Sequence, residues 1–346
     1  MLGKYFKLRF SCKYMGIKIS EIVTKQVLDF NDLSNKKIAV DSSNMIFQFI
    51  SSIRQQDGTL LMDNQGRTTS HLVGIFSRVT NLMQKDIKLA FVFDGKPPAL
   101  KFTEQENRRS AKSNAEEKLS EVDKEDLNAL LKYSKQTAKL TKDMVSESKE
   151  LLTALGLPVV QADSEAEAQA AYLCKKGRVW AVASTDYDNL VYGAPRMIES
   201  LTLSNKRKTS SGVVMISPKI IYIDEVLKKL EINQKQLLYL AILVGTDFNP
   251  GGVKGIGPKK ALKLVKEYND PKILFKLVSP ELDWKEIVDV FEKMPVKDVD
   301  LKWGEVDQDR VRKILVDDHD FSLERVNKTL EKLCRRDKGQ RSLGDF

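Results

Sequence analysis

Three observations in the amino-acid sequence predict an α/β fold with a mostly parallel central sheet flanked by helices. Short apolar runs rich in β-branched residues recur at "KKIAV", "IKLAFVF" and "RVWAVAS", as is typical of buried strands. Segments with helical spacing lie between them, including "SHLVGIFSRVTNLMQK" and "DMVSESKELLTALG". Strands that alternate with helices in this way build a parallel sheet covered by helices.

Each of these three predicted strands leads into an aspartate. Asp41 follows the first strand, Asp94 the second, and Asp186 and Asp188 the third. Because ligands bind beyond the carboxyl ends of parallel strands, these acids are expected at the edge of the sheet where chemistry occurs. Asp186 and Asp188 are two residues apart, which in an extended segment would point both side chains the same way.

Three further acids extend the set. In "ADSEAEAQAAYL", Glu165 and Glu167 open a predicted helix, and Ser164 with Glu167 has the spacing of a capping box. Asp247 follows an apolar helical run in "GTDF". Any one of these acids could be only a cap or a turn former. The recurrence of the same placement favours a shared site instead, with Ser164 as the helix cap.

A cluster of carboxylates without histidine or cysteine favours hard cations. Such a cluster repels itself unless cations neutralise it, and oxygen ligands select Mg²⁺ or Mn²⁺ over zinc. Two such ions about 4 Å apart can activate a water and stabilise the leaving oxygen of a phosphodiester. The sequence therefore predicts a nuclease with two Mg²⁺ ions, for which Mn²⁺ can substitute. The predicted metal ligands are Asp41, Asp94, Glu165, Glu167, Asp186, Asp188 and Asp247.

Composition supports a polyanionic partner. The 346 residues include 57 Lys and Arg against 48 Asp and Glu, which gives a net charge of +9. No apolar run approaches the roughly 20 residues needed to cross a bilayer, so no membrane partner is expected. Three widely spaced cysteines argue against a disulfide framework, and two histidines are too few for most imidazole-based metal sites.

The segment after Asp94 carries two candidate phosphate contacts. Lys101 and Arg108 are seven residues apart, about two helical turns, and so lie on one face of a predicted helix. They could reach a scissile phosphate. The surrounding stretch from Gly95 to about Lys142 is highly charged and predicts exposed helices, for which a solvated insertion without function remains an alternative.

A glycine-rich turn is the second region of the chain that could contact phosphate. In "GGVKGIGPKKALKLVKEY", Gly255 and Gly257 form the turn and Pro258 suits the first helical position. Lys259 and Lys260 follow, so that a helix N-terminus and two lysines could face a phosphate. A plain helix-turn-helix bend remains the alternative.

A basic hairpin is the third region of the chain that could contact phosphate. The segment "SLTLSNKRKTSSGVVMIS" predicts a hairpin whose tip carries Lys206, Arg207 and Lys208. A solvated loop without function explains this pattern equally well.

Taken together, these motifs resemble the flap endonuclease family of structure-specific 5′ nucleases. The resemblance runs from Met15 to Phe346 through "AVDSSNMIFQF", "FVFDGKPPALK", "ADSEAEAQAAYL", "STDYDNLVYG" and "GVKGIGPKKA". It implies an α/β core with a helical arch at about 95–142 and a helix-two-turn-helix at about 236–268. It also implies Mg²⁺-dependent removal of 5′ flaps at junctions of double- and single-stranded DNA, together with 5′–3′ exonuclease activity. The implied pathways are Okazaki-fragment maturation and long-patch base excision repair.

The resemblance also implies roles for individual residues. All seven carboxylates match the metal ligands of the family, and Lys101 and Arg108 match its contacts to the scissile phosphate. Phe47 stands where relatives often have a tyrosine that stacks on a base, so the aromatic face is kept and the hydroxyl is lost. A bound K⁺ is implied at the helix-two-turn-helix. The implied DNA-binding residues are Phe47, Arg54, Gly255, Gly257, Lys259 and Lys260.

The two ends of the chain are expected to lie outside the nuclease domain, which spans 15–333. Residues 1–14 are an N-terminal extension, since the family usually begins at the equivalent of Met15. Residues 334–346 form a tail in which Gln340, Leu343 and Phe346 have the spacing of the motif that binds a sliding clamp. The tail carries a single terminal phenylalanine, and an unpacked terminus remains the alternative.

Two kinds of alternative function remain. Within the family, some relatives cut bubbles, Holliday junctions or duplex ends, but this chain lacks the long insertions or extensions usual in them. In another class, a non-catalytic DNA and clamp adaptor could keep the fold, although a complete carboxylate set argues against it. The short tail resembles archaeal members, so a monomeric, cytoplasmic and DNA-associated enzyme is expected, or a nuclear one if the source is eukaryotic.

Overall fold

A computed structural model describes most of the chain. The described residues are 17–122, 126–201, 206–209, 212–215 and 217–339. The predicted N-terminal extension and the clamp-motif residues Gln340, Leu343 and Phe346 lie outside them.

The central sheet has the predicted mostly parallel order. The strands are β1 (Gln26–Val27), β2 (Lys37–Asp41), β3 (Lys88–Phe93), β4 (Val159–Gln161), β5 (Ala181–Ala183), β6 (Arg196–Glu199), β7 (Lys206–Thr209), β8 (Gly212–Met215) and β9 (Lys219–Tyr222). Among the described residues, seven of them form one sheet in the order β1-β9-β6-β5-β2-β3-β4. The five strands from β6 to β4 in this order are parallel, and β9 and β1 join antiparallel at one edge.

Helices cover both faces of this sheet. In the first half of the chain they are α1 (Ser42–Ser52), α2 (Ser70–Gly74), α3 (Thr80–Met83), α4 (Phe102–Ser120), α5 (Leu127–Gln136), α6 (Lys142–Ala154) and α7 (Ala166–Lys175). In the second half they are α8 (Asp188–Val191), α9 (Ile223–Leu230), α10 (Gln234–Val244), α11 (Pro258–Glu267), α12 (Pro271–Val278), α13 (Trp284–Glu292), α14 (Gln308–Arg312) and α15 (Leu323–Gly339). A π-helical turn at Ile75–Val79 joins α2 to α3. Within the described residues, no helix is both long and apolar enough to cross a membrane.

Successive side chains of β2 point to opposite faces of the sheet, so the core has two layers. Ile38 and Val40 pack into the cluster that includes α1 and α6, whereas Ala39 between them packs against α7 on the opposite face. This is the two-residue period of a strand, and both faces are apolar because both are covered. The central strands are therefore rigidly enclosed, which fixes the positions of the residues at their ends.

The alanines of α7 let this helix lie close to the sheet. Ala166, Ala170 and Ala171 are fully buried and pack with Ala39 and Val92. Small side chains shorten the distance between helix and sheet without leaving voids. The alanine-rich sequence therefore sets how near the N-terminus of α7 comes to the ends of β2 and β3.

The predicted arch corresponds to α4 and α5. Of the residues of α4, only Glu104 and Ala115 are buried, so the helix is mostly exposed, as its charged sequence predicted. Asp126 caps α5 by accepting a hydrogen bond from the Ala129 amide. The first turn of α4 is thus anchored by the buried Glu104, and Ala115 is the other buried position of this helix.

The basic hairpin exists, but the prediction of its tip was wrong. Lys206, Arg207 and Lys208 lie in β7 and pair with β8, and the register matches Thr209 with Gly212. The three basic residues therefore lie within a strand, because the β-branched residues Val213 and Val214 extend the second strand opposite Lys208 and Arg207.

The segment between α13 and α14 crosses the outer face of α7. The buried Gln169 side chain holds the Lys297 backbone at both its amide and its carbonyl, at 3.0 and 2.7 Å. Further along, the Gly304 amide donates to the Gly156 carbonyl, and the Trp303 indole donates to the Leu89 carbonyl. The C-terminal part of the chain thereby closes over the helix that carries Glu165 and Glu167.

Both histidines of the chain lie in one buried cluster. His71 Nε2 is 2.8 Å from Glu147 Oε2, and His319 Nδ1 is 3.0 Å from Asp63 Oδ2. Arg67 also pairs with Asp63, at 2.7 Å. This cluster ties the loop before α2 to α6 and to the turn before α15.

Candidate functional site

Asp41 occupies the carboxyl end of β2 and is held there by two hydrogen bonds. Its Oδ1 accepts from the Asn44 amide at 3.0 Å, which makes Asp41 the N-cap of α1. Its Oδ2 accepts from the Ser184 hydroxyl at 3.1 Å. Ser184 follows β5, the parallel neighbour of β2, so the two strand ends are linked directly.

Asp94 follows the neighbouring strand β3 and caps α7 from outside the helix. Its Oδ1 accepts from the Ala166 amide at 2.9 Å. The predicted capping box of Ser164 and Glu167 was wrong, because the Ser164 hydroxyl donates instead to the Lys96 carbonyl at 2.8 Å. That bond draws the loop after Asp94 against the start of α7, and Glu167 is left free to face the acidic cluster.

Gly95 is required for this close approach. A Cβ at this position would lie 2.3 Å from the Ala162 carbonyl oxygen, a distance that real Cβ atoms do not adopt. The Gly95 amide also donates to the Ser164 carbonyl. The glycine thus allows β3 and α7 to bring their acids together.

Asp94, Glu165 and Glu167 form one compact oxygen cluster. One carboxylate oxygen of each lies within 4.8 Å of one oxygen of each of the others. Glu165 is buried at the N-cap position of α7. The buried Oε2 of Glu167 has no hydrogen-bond partner among the described residues.

Asp186, Asp188 and Asp247 form a second group on the side of β5. Asp186 Oδ1 accepts from the Asp188 amide at 3.0 Å and so opens the short helix α8. The prediction of an extended segment here was wrong, because this local hydrogen bond favours the helical turn. Asp188 Oδ1 is also buried without a hydrogen-bond partner in the described part of the chain.

The carboxylates of the two groups act on one another electrostatically. Burial, with the negative charges of Asp94 and Asp186, raises the pKa of Asp41 to about 7. Burial and the charges of Asp41 and Asp94 raise the pKa of Glu167 well above its ordinary value. For Asp188, burial and the charges of Asp186 and Asp247 have the same effect on the pKa. The two groups therefore constitute one site with an excess of negative charge.

Lys101 and Arg108 both point into this site. The Lys101 ammonium pairs with Glu165 and lies 3.2 Å from Asp247 Oδ2. Arg108 donates to Asp247 Oδ2 at 2.8 Å. Burial lowers the pKa of Lys101, but the charges of Glu167, Glu165 and Asp247 outweigh it and raise the pKa well above its ordinary value. Lys101 is therefore a permanent cation beside the carboxylates.

Two residues of this site were missed from the sequence. The buried Glu104 accepts a hydrogen bond from Arg108 Nε at 2.7 Å and so fixes the direction of its side chain. The spacing of four between Glu104 and Arg108 is a helical ion-pair signal and could have indicated this contact. Ser184, which donates to Asp41 and accepts from the Asp186 amide, gave no recognisable signal.

Two predicted DNA contacts on α1 and the following loop occupy different environments. Phe47 is partly buried and packs against the core cluster beside α1. Arg54 donates to the Ile50 and Gly58 carbonyls, at 2.9 and 2.8 Å. Arg54 therefore holds the loop after α1 in place, and a DNA contact would have to use its remaining donors.

The predicted glycine turn connects directly to the acidic site. The loop that carries Asp247 ends at Gly257, which is the N-cap of α11, and Pro258 takes the first helical position as predicted. Gly255 has a φ of +79°, which favours glycine. Gly257, Lys259 and Lys260 are exposed at the start of α11. One loop thus joins a carboxylate of the site to a helix N-terminus that faces solvent.

The metal-ligand atoms that the site offers suit hard divalent cations. Its seven carboxylates face two cationic side chains, and its ligand atoms are oxygens without histidine or cysteine. Two buried carboxylate oxygens lack partners in the described region, on Glu167 and Asp188. An unpaired buried carboxylate oxygen is costly, so a cation is the natural complement to each group.

Two family descriptions match the chain over the segments that build this site. The XPG N-terminal domain matches residues 15–115, and the XPG I-region matches residues 156–247. All seven carboxylates, Lys101 and Arg108 fall within these two segments. The fold and the acidic site thus place the chain in the XPG class of nucleases.

Comparison with individual proteins identifies the family within this class. The chain is 46% identical over 323 residues to the flap endonuclease 1 of Thermococcus onnurineus, covering 92% of this chain and 94% of that protein. It is 48% identical to the flap endonuclease 1 of Pyrococcus abyssi over the same length and the same shares. The chain therefore belongs to the flap endonuclease 1 family, whose members are structure-specific 5′ nucleases that depend on metal ions.

Solved structures agree with this assignment. Flap endonuclease-1 from Methanococcus jannaschii has a TM-score of 0.74 and 40% identity, covering 92% of this chain and 98% of that chain. The catalytic core of Rad2 in complex with DNA substrate has a TM-score of 0.66 and 23% identity, covering 91% of this chain and 97% of that one. The similarity to Rad2 shows a shared fold.

Removing one buried charge from this site should stabilise the metal-free protein. The raised pKa of Glu167 means that its charged form opposes folding, so wild-type stability is lost as the pH rises through the folded pKa. Glu167→Gln should therefore raise the free energy of unfolding at pH 8, by about 1.4 kcal/mol for each unit by which the pKa is raised. Denaturant unfolding in EDTA from pH 4 to 8 measures this difference, which should vanish near pH 4.

Asp163→Asn provides the matched control for this change. The Asp163 side chain is 50% exposed and pairs with Lys297, so its loss should not stabilise the protein at any pH. A Glu167→Gln protein that is less stable than wild type at pH 8 would contradict the repulsion described here.

Proposed function

We propose that this protein is a Mg²⁺-dependent endonuclease that cleaves 5′ flaps at junctions between double- and single-stranded DNA, with associated 5′–3′ exonuclease activity. The observation that carries the proposal is the convergence of the carboxylates at one edge of the sheet, with buried unpaired oxygens on Glu167 and Asp188. The flap endonuclease 1 proteins at 44–48% identity support the choice of substrate.

The carboxylates divide naturally between two ions. Asp94, Glu165 and Glu167, with Asp41 beside them, would hold one Mg²⁺; the second group, Asp186, Asp188 and Asp247, would hold the other. Two bound Mg²⁺ or Mn²⁺ ions would supply water activation and charge stabilisation at the leaving oxygen of a phosphodiester. The protein holds the carboxylates in place through Ser184, the α1 N-cap and the α7 N-terminus.

Lys101 and Arg108 would bind the scissile phosphate. In the absence of DNA their charges are engaged by Glu165 and Asp247, so the approach of a phosphate would offer a competing anion. Cations positioned beside a reacting phosphate stabilise the charge that develops in the transition state. Because Lys101 precedes α4 and Arg108 lies within it, the arch would carry both groups toward the substrate.

The glycine turn and α11 would bind the duplex. The exposed N-terminus of α11, with Lys259 and Lys260, suits backbone phosphates, and backbone oxygens around Gly255 and Gly257 could hold the K⁺ expected from the resemblance. Phe47 would stack on a base near the cut. Arg54 would support this surface mainly by fixing the loop after α1.

We further propose that the enzyme acts as a monomer in Okazaki-fragment maturation and long-patch base excision repair. The net charge of +9 favours association with DNA, in the cytoplasm if the source is archaeal, as the relatives suggest, or in the nucleus if it is eukaryotic. Bubbles, Holliday junctions and blunt duplex ends are the competing substrates. End-labelled forms of each, incubated with Mg²⁺ beside a 5′ flap, test the choice, and preferred cleavage of any competing substrate would reject it.

The C-terminal tail is proposed to bind a sliding clamp through Gln340, Leu343 and Phe346, which lie outside the described residues. The helix α15 continues to Gly339, so the motif follows directly on a helix.

Residues 1–14 lie before the match to the XPG N-terminal domain and are proposed to be dispensable for cleavage.

Asp186→Asn should abolish most Mg²⁺-dependent flap cleavage while leaving flap binding nearly intact. Asp186 belongs to the proposed metal site, whereas phosphate contacts supply most of the affinity for DNA. Single-turnover cleavage of an end-labelled flap and a binding titration measure the two effects separately. Asp224→Asn, at an exposed position in the first turn of α9, is the control and should cleave like wild type. Near-normal cleavage by Asp186→Asn would refute the metal assignment.

Lys101→Ala should lower the single-turnover rate by roughly 10²- to 10³-fold with little change in flap binding, as expected for loss of one group that stabilises transition-state charge. Lys118→Ala, an exposed lysine on α4, is the matched control and should retain the wild-type rate. A variant that binds more weakly but cleaves at the normal rate when saturated would make Lys101 a DNA tether rather than a catalytic residue.

A peptide of residues 335–346 should bind the cognate sliding clamp with micromolar affinity, about −8 kcal/mol. Burying Leu343 and Phe346 could contribute roughly 1.5 to 3 kcal/mol each, and the ordering of the tail offsets part of this gain. Calorimetric titration of the peptide and of its Phe346→Ala form measures the contribution of the aromatic ring. Equal binding by the two peptides, or binding by neither, would remove the tail from the proposed function.

A further inference from the structure

Tyr192 carries a buried hydroxyl group beside the acidic site that the proposed mechanism does not use. The hydroxyl is inaccessible to solvent and makes no hydrogen bond to any described residue. The ring is fixed by packing against Phe291, with the ring centroids 4.9 Å apart. A buried hydroxyl without a partner is costly, so this group has a missing acceptor.

The hydroxyl lies on the carboxylate side of the molecule. Tyr192 follows α8 by one residue, and its amide donates to the Asp188 carbonyl at 2.8 Å, so Asp188 and Tyr192 are stacked one helical turn apart. Burial, with the negative charges of Glu165 and Asp188, raises the pKa of Tyr192 well above its ordinary value. The phenol therefore stays protonated and can donate a hydrogen bond throughout the working pH range.

Three unpaired buried atoms belong to side chains of this site. They are Tyr192 Oη, Asp188 Oδ1 and Glu167 Oε2, one donor and two acceptors. The donor bonds to neither acceptor, as direct pairing would require contact within 3.5 Å. A water molecule can bridge groups that are too far apart for direct contact, and the hydration water of a cation held by these carboxylates would serve in this way.

We propose that Tyr192 is a positioning residue that donates a hydrogen bond to a water molecule of the hydrated divalent cation on the Asp188 side of the site. This inference rests on the proposed metal-dependent function. It assigns the missing acceptor of the phenol and gives a role to a polar hydroxyl whose ring packs among apolar residues.

Tyr192→Phe tests the proposal because it removes only the hydroxyl. Residues that hydrogen-bond to the immediate surroundings of a metal typically change its affinity by 10- to 100-fold when they are replaced. The dissociation constant for Mn²⁺, measured without DNA on the full chain by the electron paramagnetic resonance signal of free Mn²⁺, should rise about tenfold. The melting temperature in EDTA should be unchanged or higher, because an unpaired buried hydroxyl is lost.

Tyr187→Phe is the matched control from the same segment. The Tyr187 ring is buried, and its hydroxyl already donates to Glu199. This variant should bind Mn²⁺ like wild type. Equal Mn²⁺ affinity for Tyr192→Phe and wild type would overturn the proposal, as would an equal loss of affinity in both tyrosine variants.

Flap cleavage separates this proposal from the proposed function. Tyr192→Phe should need about tenfold more Mg²⁺ for half-maximal cleavage and should approach the wild-type rate at saturating Mg²⁺. A lower rate that excess Mg²⁺ does not restore would overturn the cation role. If wild type binds Mn²⁺ but cuts no flap, the proposed function fails, and the Mn²⁺ comparison still decides the role of Tyr192.

Discussion

Electrostatic repulsion among carboxylates at one edge of the sheet is the constraint on which the rest of this structure depends. Burial and mutual repulsion raise the pKa values of Asp41, Glu167 and Asp188 above their ordinary values, so the charged site opposes folding. The surrounding protein tolerates this cost because the strands that carry the acids are enclosed on both faces. The energy stored in the site would be recovered when cations enter it and neutralise the carboxylates, which links stability to function.

The same constraint explains the position of the two basic side chains. Lys101 and Arg108 partly neutralise the site from the first turns of α4, and Glu104 keeps Arg108 directed inward. The start of α4 is therefore held at the site by charge, since most of α4 is exposed. On the opposite side, the loop of Asp247 leads to the N-terminus of α11. Lys101 and Arg108, which are proposed to bind the scissile phosphate, thus meet the loop that leads to the proposed duplex-binding helix at one residue, Asp247.

Much of the fold and site could be predicted because the relevant signals are local. The apolar runs that became β2, β3 and β5 end at the expected aspartates, and Pro258 begins α11 as its position suggested. The error at the start of α7 concerns contacts between distant parts of the chain. Ser164 binds the Lys96 carbonyl and Asp94 caps α7 in its place, which no local pattern contains. The orphaned hydroxyl of Tyr192 becomes visible only when its neighbours in space are known.

The buried cluster of His71 and His319 also limits what imidazole chemistry this protein can use. Both histidines of the chain are engaged there with Glu147 and Asp63, so neither belongs to the acidic site. A titration of catalysis near neutral pH is then expected to originate in the carboxylates, whose pKa values are raised, or in the attacking water. Reagents that acylate imidazole, such as diethyl pyrocarbonate, would consequently report the unfolding of this cluster. Protection from them would measure how firmly α6 and the turn before α15 are held together, independently of nuclease turnover.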